Sequence, residues 1–130
     1  ACDLLNANML LIPGEVAAAL GNIPDSFDHT LADWHYSLEA KRHGFGAWLA
    51  PGYYGDCAGN VALRRRWHDP QLTLKQRYQK MLHPLALPFR SRAYYLFRHF
   101  PLTAPAYLVV PYVKMPIQHL LGQFGRSAAS

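Results

Sequence analysis

The stretch FDHTLADWHYSLEAKRHGFGAWLAPG, Phe27–Gly52, decides how the rest of the chain is read. It passes from an acid beside a tryptophan, through a charged helix-like run, to an aromatic piece closed by Pro-Gly. Thr30-Leu31-Ala32-Asp33 has the spacing of a capping box, with Asp in place of the usual Glu, so a helix is expected to start at Thr30. Leu31, Trp34, Leu38 and Arg42 then fall on roughly one face, and Gly44 ends the run. Phe45–Gly52 follows as an expected strand with an aromatic pattern and a Pro-Gly stop.

Working upstream, MLLIP (Met9–Pro13) is a short apolar run and reads as a buried strand. Asn6 and Asn8 stand two apart, hence on one face if that piece is extended. GEVAAALG (Gly14–Gly21) reads as a short helix stopped by its glycine. NIPDSFD is turn chemistry. Residues 1–60 therefore read strand, helix, loop, helix, strand, which is part of an α/β layered domain.

Downstream the character changes. Residues 1–60 carry seven acids against two bases, whereas residues 61–130 carry eleven bases and one acid, Asp69. LRRRWHDPQ is a basic link, and its Arg64–Trp67 reads either as a solvated turn or as a contact for diphosphate or phospholipid head groups. Thr73-x-x-Gln76 is a full capping box and opens a helix stopped by His83-Pro84. Arg90–Phe100 is a basic, aromatic helix stopped by Pro101. Leu102–Gly122 approaches the apolar length of a membrane span. Pro105, Pro111 and Pro116 interrupt it, and an interior proline costs about 3 kcal/mol. It reads as a kinked helix lying on a membrane interface or packed on a partner. Residues 1–60 and 61–130 are thus expected to be two parts, the second a basic, proline-punctuated helical extension.

The two cysteines, Cys2 and Cys57, form no short-spaced pair, so neither a disulfide framework nor a zinc site is indicated. A reduced, cytoplasmic setting is expected, with residues 90–121 touching the inner face of a membrane. No recognition motif for nucleic acid occurs, and none is expected as partner. The chain opens Ala1-Cys2-Asp3, without Met, and reads as part of a longer one.

Asp33 carries the chemistry or only the helix start. As a first-turn acid it gains about 0.3–1 kcal/mol from the helix dipole. As a carboxylate in a cleft it can deprotonate a sugar hydroxyl within hydrogen-bond reach. Trp34 either stacks on a sugar ring or packs in the core. Asn6 and Asn8 either bond acceptor hydroxyls or form a turn.

Set in order, CDLLNANMLLIP, Phe27, Ala32-Asp33, YSLEAKRHGF and LAPGYYGDC resemble the C-terminal part of a family 2 glycosyltransferase of the GT-A fold. The tail, WHDPQLTLKQRYQKM through YVK, resembles the extension of bacterial members that build cell-surface polysaccharide. The resemblance implies a partial GT-A layer over residues 1–60, the acceptor-side half. It implies inverting transfer from a nucleotide-diphosphate sugar to a glycan or lipid-linked hydroxyl, with Asp33 as the catalytic base. It also implies acceptor contacts from Trp34, Asn6 and Asn8. The Asp-x-Asp pair that holds Mg²⁺ or Mn²⁺ in the family does not occur in the 130 residues. Metal ligands are therefore expected outside the chain, none within it, and the fragment is expected to be inactive alone. Two departures stand out: His35 replaces the second acid of the family motif, and Glu39 replaces its Arg. A non-catalytic membrane-surface or docking module is the competing reading.

Overall fold

Backbone hydrogen bonding, rather than apolar pattern, decides the elements. The computed structural model describes residues 2–56, 66–69 and 71–127. Five α-helices and one 3-10 turn are present among them, and no strand. The expected α/β layer, and with it the partial GT-A fold, is overturned. The reason lies in pairing, since a strand exists only where a neighbour continues its ladder. Among the described residues the first candidate strand, Met9–Pro13, makes no bridge, and the second makes one antiparallel bridge, Ala47 with Cys2, through the Cys2 N–H to Ala47 carbonyl bond of 2.8 Å. Nothing extends it. Leu11 of the first segment stays 91% exposed and Trp48 of the second 76%. The apolar pattern of both pieces is real, but no described element covers it.

The chain divides into two compact units, Ala1–Gly59 and Asn60–Ser130. The first unit is built on two helices. α1, Gly14–Leu20, follows Pro13, whose carbonyl accepts the Val16 and Ala17 N–H groups. Gly21, at φ 68°, turns the chain out and donates its N–H to Ala17. Such a left-handed exit favours glycine because it has no Cβ. α2, Ala32–Arg42, begins one residue later than a Thr30 N-cap predicts. Its N-cap is Leu31, in the left-handed region at φ 70°, and no side chain caps it. The Thr30 hydroxyl oxygen is buried without a hydrogen-bond partner instead. α2 buries His35, Tyr36 and Ser37, while Trp34 turns outward at 43% exposure. The Leu31–Trp34–Leu38 stripe is thus not the core face.

The second unit holds three helices. α3, Leu74–Met81, starts on the predicted capping box: Thr73 Oγ1 accepts the Gln76 N–H and Gln76 Oε1 accepts the Thr73 N–H at 2.9 Å. It packs on the 3-10 turn Arg66–His68. α4, Phe89–His99, and α5, Ala104–Ser127, are joined by the turn at Phe100–Thr103 and pack on each other. Met81, Tyr95, Leu96, Leu108 and Met115 form the core, with the small Ser91 and Ala104 fully buried. Each large side chain withdrawn from water contributes about 1.5–3 kcal/mol.

α5 runs unbroken through Pro111 and Pro116, where interruption is expected. Each proline lacks the N–H that the carbonyl four residues earlier should receive. Those carbonyls belong to Tyr107 and Tyr112, and both are bonded from elsewhere. An Arg92 guanidinium nitrogen of α4 donates to the Tyr107 oxygen at 2.6 Å. The Tyr78 hydroxyl of α3 donates to the Tyr112 oxygen at 2.7 Å. The Tyr112 hydroxyl in turn donates to the Leu87 carbonyl at 3.0 Å. The prolines thus turn a helix defect into two attachment points. Among the described residues, no helix is long and apolar enough to cross a membrane.

Candidate functional site

The site grows from the first turn of α2. Asp33 Oδ1 accepts the neighbouring Trp34 N–H at 2.9 Å, as an acid near a helix start does. Its Oδ2 reaches back across the sequence and accepts the Ala7 N–H at 3.3 Å. Ala7 lies between Asn6 and Asn8, in a turn closed by the Asn8 N–H donating to Asn6 Oδ1 at 3.2 Å. Asn6 and Asn8 are therefore turn residues and not neighbours on a strand face. The Asp33 carboxylate ties the Asn6–Asn8 turn to the first turn of α2, which also carries the exposed Trp34.

Ser37 holds the same junction from inside. Its hydroxyl donates to the Asp33 carbonyl one helical turn back, at 2.7 Å, and accepts the Leu5 N–H at 2.8 Å. The residue is 4% exposed. Sequence reading passed over Ser37. Its one available signal was spacing, since a Ser four residues after a functional position can back-bond that carbonyl.

His35 and Glu39 have clear structural roles. His35 is buried, with its ring 4.9 Å from that of Phe27, centroid to centroid. Glu39 accepts from the Arg42 guanidinium at 2.8 Å, one turn on. Lys41 pairs with Asp3 at 2.9 Å in full solvent. That hydrogen bond, then the lysine charge, lowers the Asp3 pKa. In the following loop, a hydrogen bond with Asp56 raises the Tyr53 pKa.

A carboxylate offers about four acceptor positions. Asp33 spends one on Ala7 and one on Trp34, leaving capacity for a hydroxyl donor on a partly exposed surface. A divalent ion fits poorly there. One carboxylate whose oxygens already meet N–H groups falls far short of the octahedral set that Mg²⁺ demands. Of the basic link, Trp67 lies tilted against His68, with ring centres 5.2 Å apart. Arg64 and Arg65, like Cys57, lie outside the described residues. Comparison with family models, with curated proteins and with solved structures gives no match for this chain.

Proposed function

We propose that the first unit supplies the acceptor side of a sugar-transfer site, with Asp33 as general base. In the reaction the acceptor hydroxyl oxygen attacks the anomeric carbon of a nucleotide-diphosphate sugar. The bond from that carbon to the diphosphate oxygen breaks, and its electron pair leaves with the diphosphate. The hydroxyl proton passes to the Asp33 carboxylate, and direct displacement inverts the anomeric centre. Trp34 offers an apolar face to the acceptor ring, and the Asn6 and Asn8 carboxamides offer hydrogen bonds at its rim. The acceptor class is a glycan or lipid-linked glycan of the kind built into cell-surface polysaccharide. These 130 residues contain no Asp-x-Asp pair for donor and metal, so in this reading the chain by itself binds acceptor without turnover.

The observation that supports this reading is the Ala7 N–H to Asp33 bond, which holds the acid beside an exposed, hydrogen-bonding turn and an exposed indole. A carboxylate acting only as a local helix acid has no need of that distant partner.

The test is nuclear magnetic resonance titration of the chain with oligosaccharide acceptors, watching the Trp34 indole and the Ala7 amide. Shifts at both in the parent, with the Ala7 shift lost in Trp34→Ala, support the reading. In the protein as its host makes it, Asp33→Asn, whose single carbonyl oxygen can still accept one of the two N–H groups, should lower sugar transfer by at least about 100-fold, within the range general-base catalysis commands. Transfer at an undiminished rate in that variant removes Asp33 from the chemistry.

A further inference from the structure

α5 is apolar on two sides, and its own unit uses only one. Ala104, Leu108 and Met115 are buried on the inner side. Val109, Val110, Val113, Ile117, Leu120 and Leu121 are each 51–64% exposed. At about 100° per residue these six cover a continuous stripe about 120° wide, opposite the buried one. Lys114 is exposed at the edge of that stripe. From Gln71 to Ser130 the chain has eight Lys and Arg and not one Asp or Glu.

We propose that this outward face of α5 docks on an anionic lipid bilayer, with the helix axis in the plane of the interface. Three observations select that occupant. First, charge complementarity calls for a polyanion, because the segment holds no carboxylate of its own. This also argues against a second copy, whose like charges repel. Second, the face is aliphatic. Valine, isoleucine and leucine have no use for the phosphates of a nucleic acid but gain by entering acyl chains. Third, the backbone is ready for an apolar medium. Both carbonyls freed by Pro111 and Pro116 already accept from Arg92 and Tyr78, so neither presents a bare acceptor to the bilayer. Exposed Arg90, Tyr94, Phe97 and Arg98 recur along one side of α4, the mixture of rings and guanidinium groups that suits the head-group layer. The inference does not depend on the role of Asp33.

The experiment is vesicle flotation of the whole chain. One set of vesicles is phosphatidylcholine alone, and the other is phosphatidylcholine doped with phosphatidylserine. Binding to the doped vesicles, weakened by salt, is expected. The double variant Val113→Ser, Ile117→Ser alters exposed positions, so helicity by circular dichroism should stay as in the parent. Its affinity for the doped vesicles should fall at least about tenfold. Lys114→Glu should weaken binding to the doped vesicles while leaving the residual affinity for neutral ones unchanged. Absence of flotation overturns the proposal. So does flotation that the double serine variant leaves intact, which would mean adsorption by charge alone. A chain that dimerises, or that binds an acidic peptide or RNA, through the same two side chains and ignores vesicles also overturns it.

Discussion

At the scale of single residues, the junction between the Asn6–Asn8 turn and α2 hangs on Ser37. Replacing it with alanine deletes the acceptor for the Leu5 N–H and leaves that donor without a partner. The expected loss is about 1–3 kcal/mol, read by urea denaturation, with faster amide exchange at Leu5 and Ala7. Unchanged stability would mean that water serves the Leu5 amide as well. Thr30 should behave in the opposite sense. Its buried hydroxyl makes no hydrogen bond, so Thr30→Val should be neutral or stabilising by up to about 1 kcal/mol. A capping threonine would instead lose about 1 kcal/mol on that change. The contrast shows what could be read from the residues themselves. Thr-x-x-acid spacing is a good rule, and Thr73 with Gln76 obeys it fully. At Thr30 the backbone of Leu31 swings to φ 70°, which moves the helix start beyond the threonine. A left-handed leucine costs about 1–2 kcal/mol and has no mark in the sequence. The strain sits next to Asp33, where departures from local rules are most informative.

At the scale of elements, the helices were legible, whereas the two expected strands do not form among the described residues. Gly21, the Thr73 capping box and Pro101 mark helix ends by local chemistry that the chain carries with it. Met9–Pro13 and Phe45–Gly52 have strand-like patterns, but pairing is a property of neighbours, and among the described residues the one bridge joins Ala47 to Cys2, which lies in neither segment. The prolines of α5 misled for a related reason. Their penalty is local, while its remedy comes from Arg92 and Tyr78 on other helices. A double-mutant cycle tests that remedy. Arg92→Met should cost about 0.5–1.5 kcal/mol in the parent chain, because it removes the side-chain donor to the Tyr107 carbonyl. It should cost clearly less in Pro111→Ala, where the helix supplies its own N–H. Equal losses in both backgrounds would dissociate Arg92 from the proline. The Tyr112 phenol adds an alkaline limit. Burial raises its pKa, against the opposing charge of Arg92. A group with a raised folded pKa keeps its contribution below the unfolded value and loses it above. Stability should therefore fall as pH passes about 10. Tyr112→Phe should flatten that alkaline slope in thermal melts, and an unchanged slope would assign the effect to other tyrosines.

At the scale of the whole molecule, charge is the clearest feature, and it was fully visible from the sequence. Residues 71–130 contain eight bases and no acid, so every long-range term inside that segment is repulsive. The described ion pairs, Lys41 with Asp3 and Arg42 with Glu39, lie in the first unit and are partly or fully solvated. Salt should therefore screen more repulsion than attraction. The melting midpoint should rise when NaCl is increased from about 0.02 M to about 0.5 M, a range in which the screening length drops several-fold. A falling midpoint would mean that the exposed pairs outweigh the tail. Acid acts on the other half. The lowered Asp3 pKa means that its contact with Lys41 persists above the ordinary carboxylate range and disappears as pH drops through the lowered value. Because that pair is fully solvated, its loss should hardly move the melt.

The two prolines of α5 also bear on the order of folding. A helix that completes its own hydrogen bonds can flicker into existence alone; this one cannot. Until α3 delivers Tyr78 and α4 delivers Arg92, two carbonyls in mid-helix have no donor within the helix. The segment 104–127 is thereby bound to its neighbours in time as well as in space. Its amides should open and close together with theirs, and as an excised peptide in water it should remain mostly uncoiled.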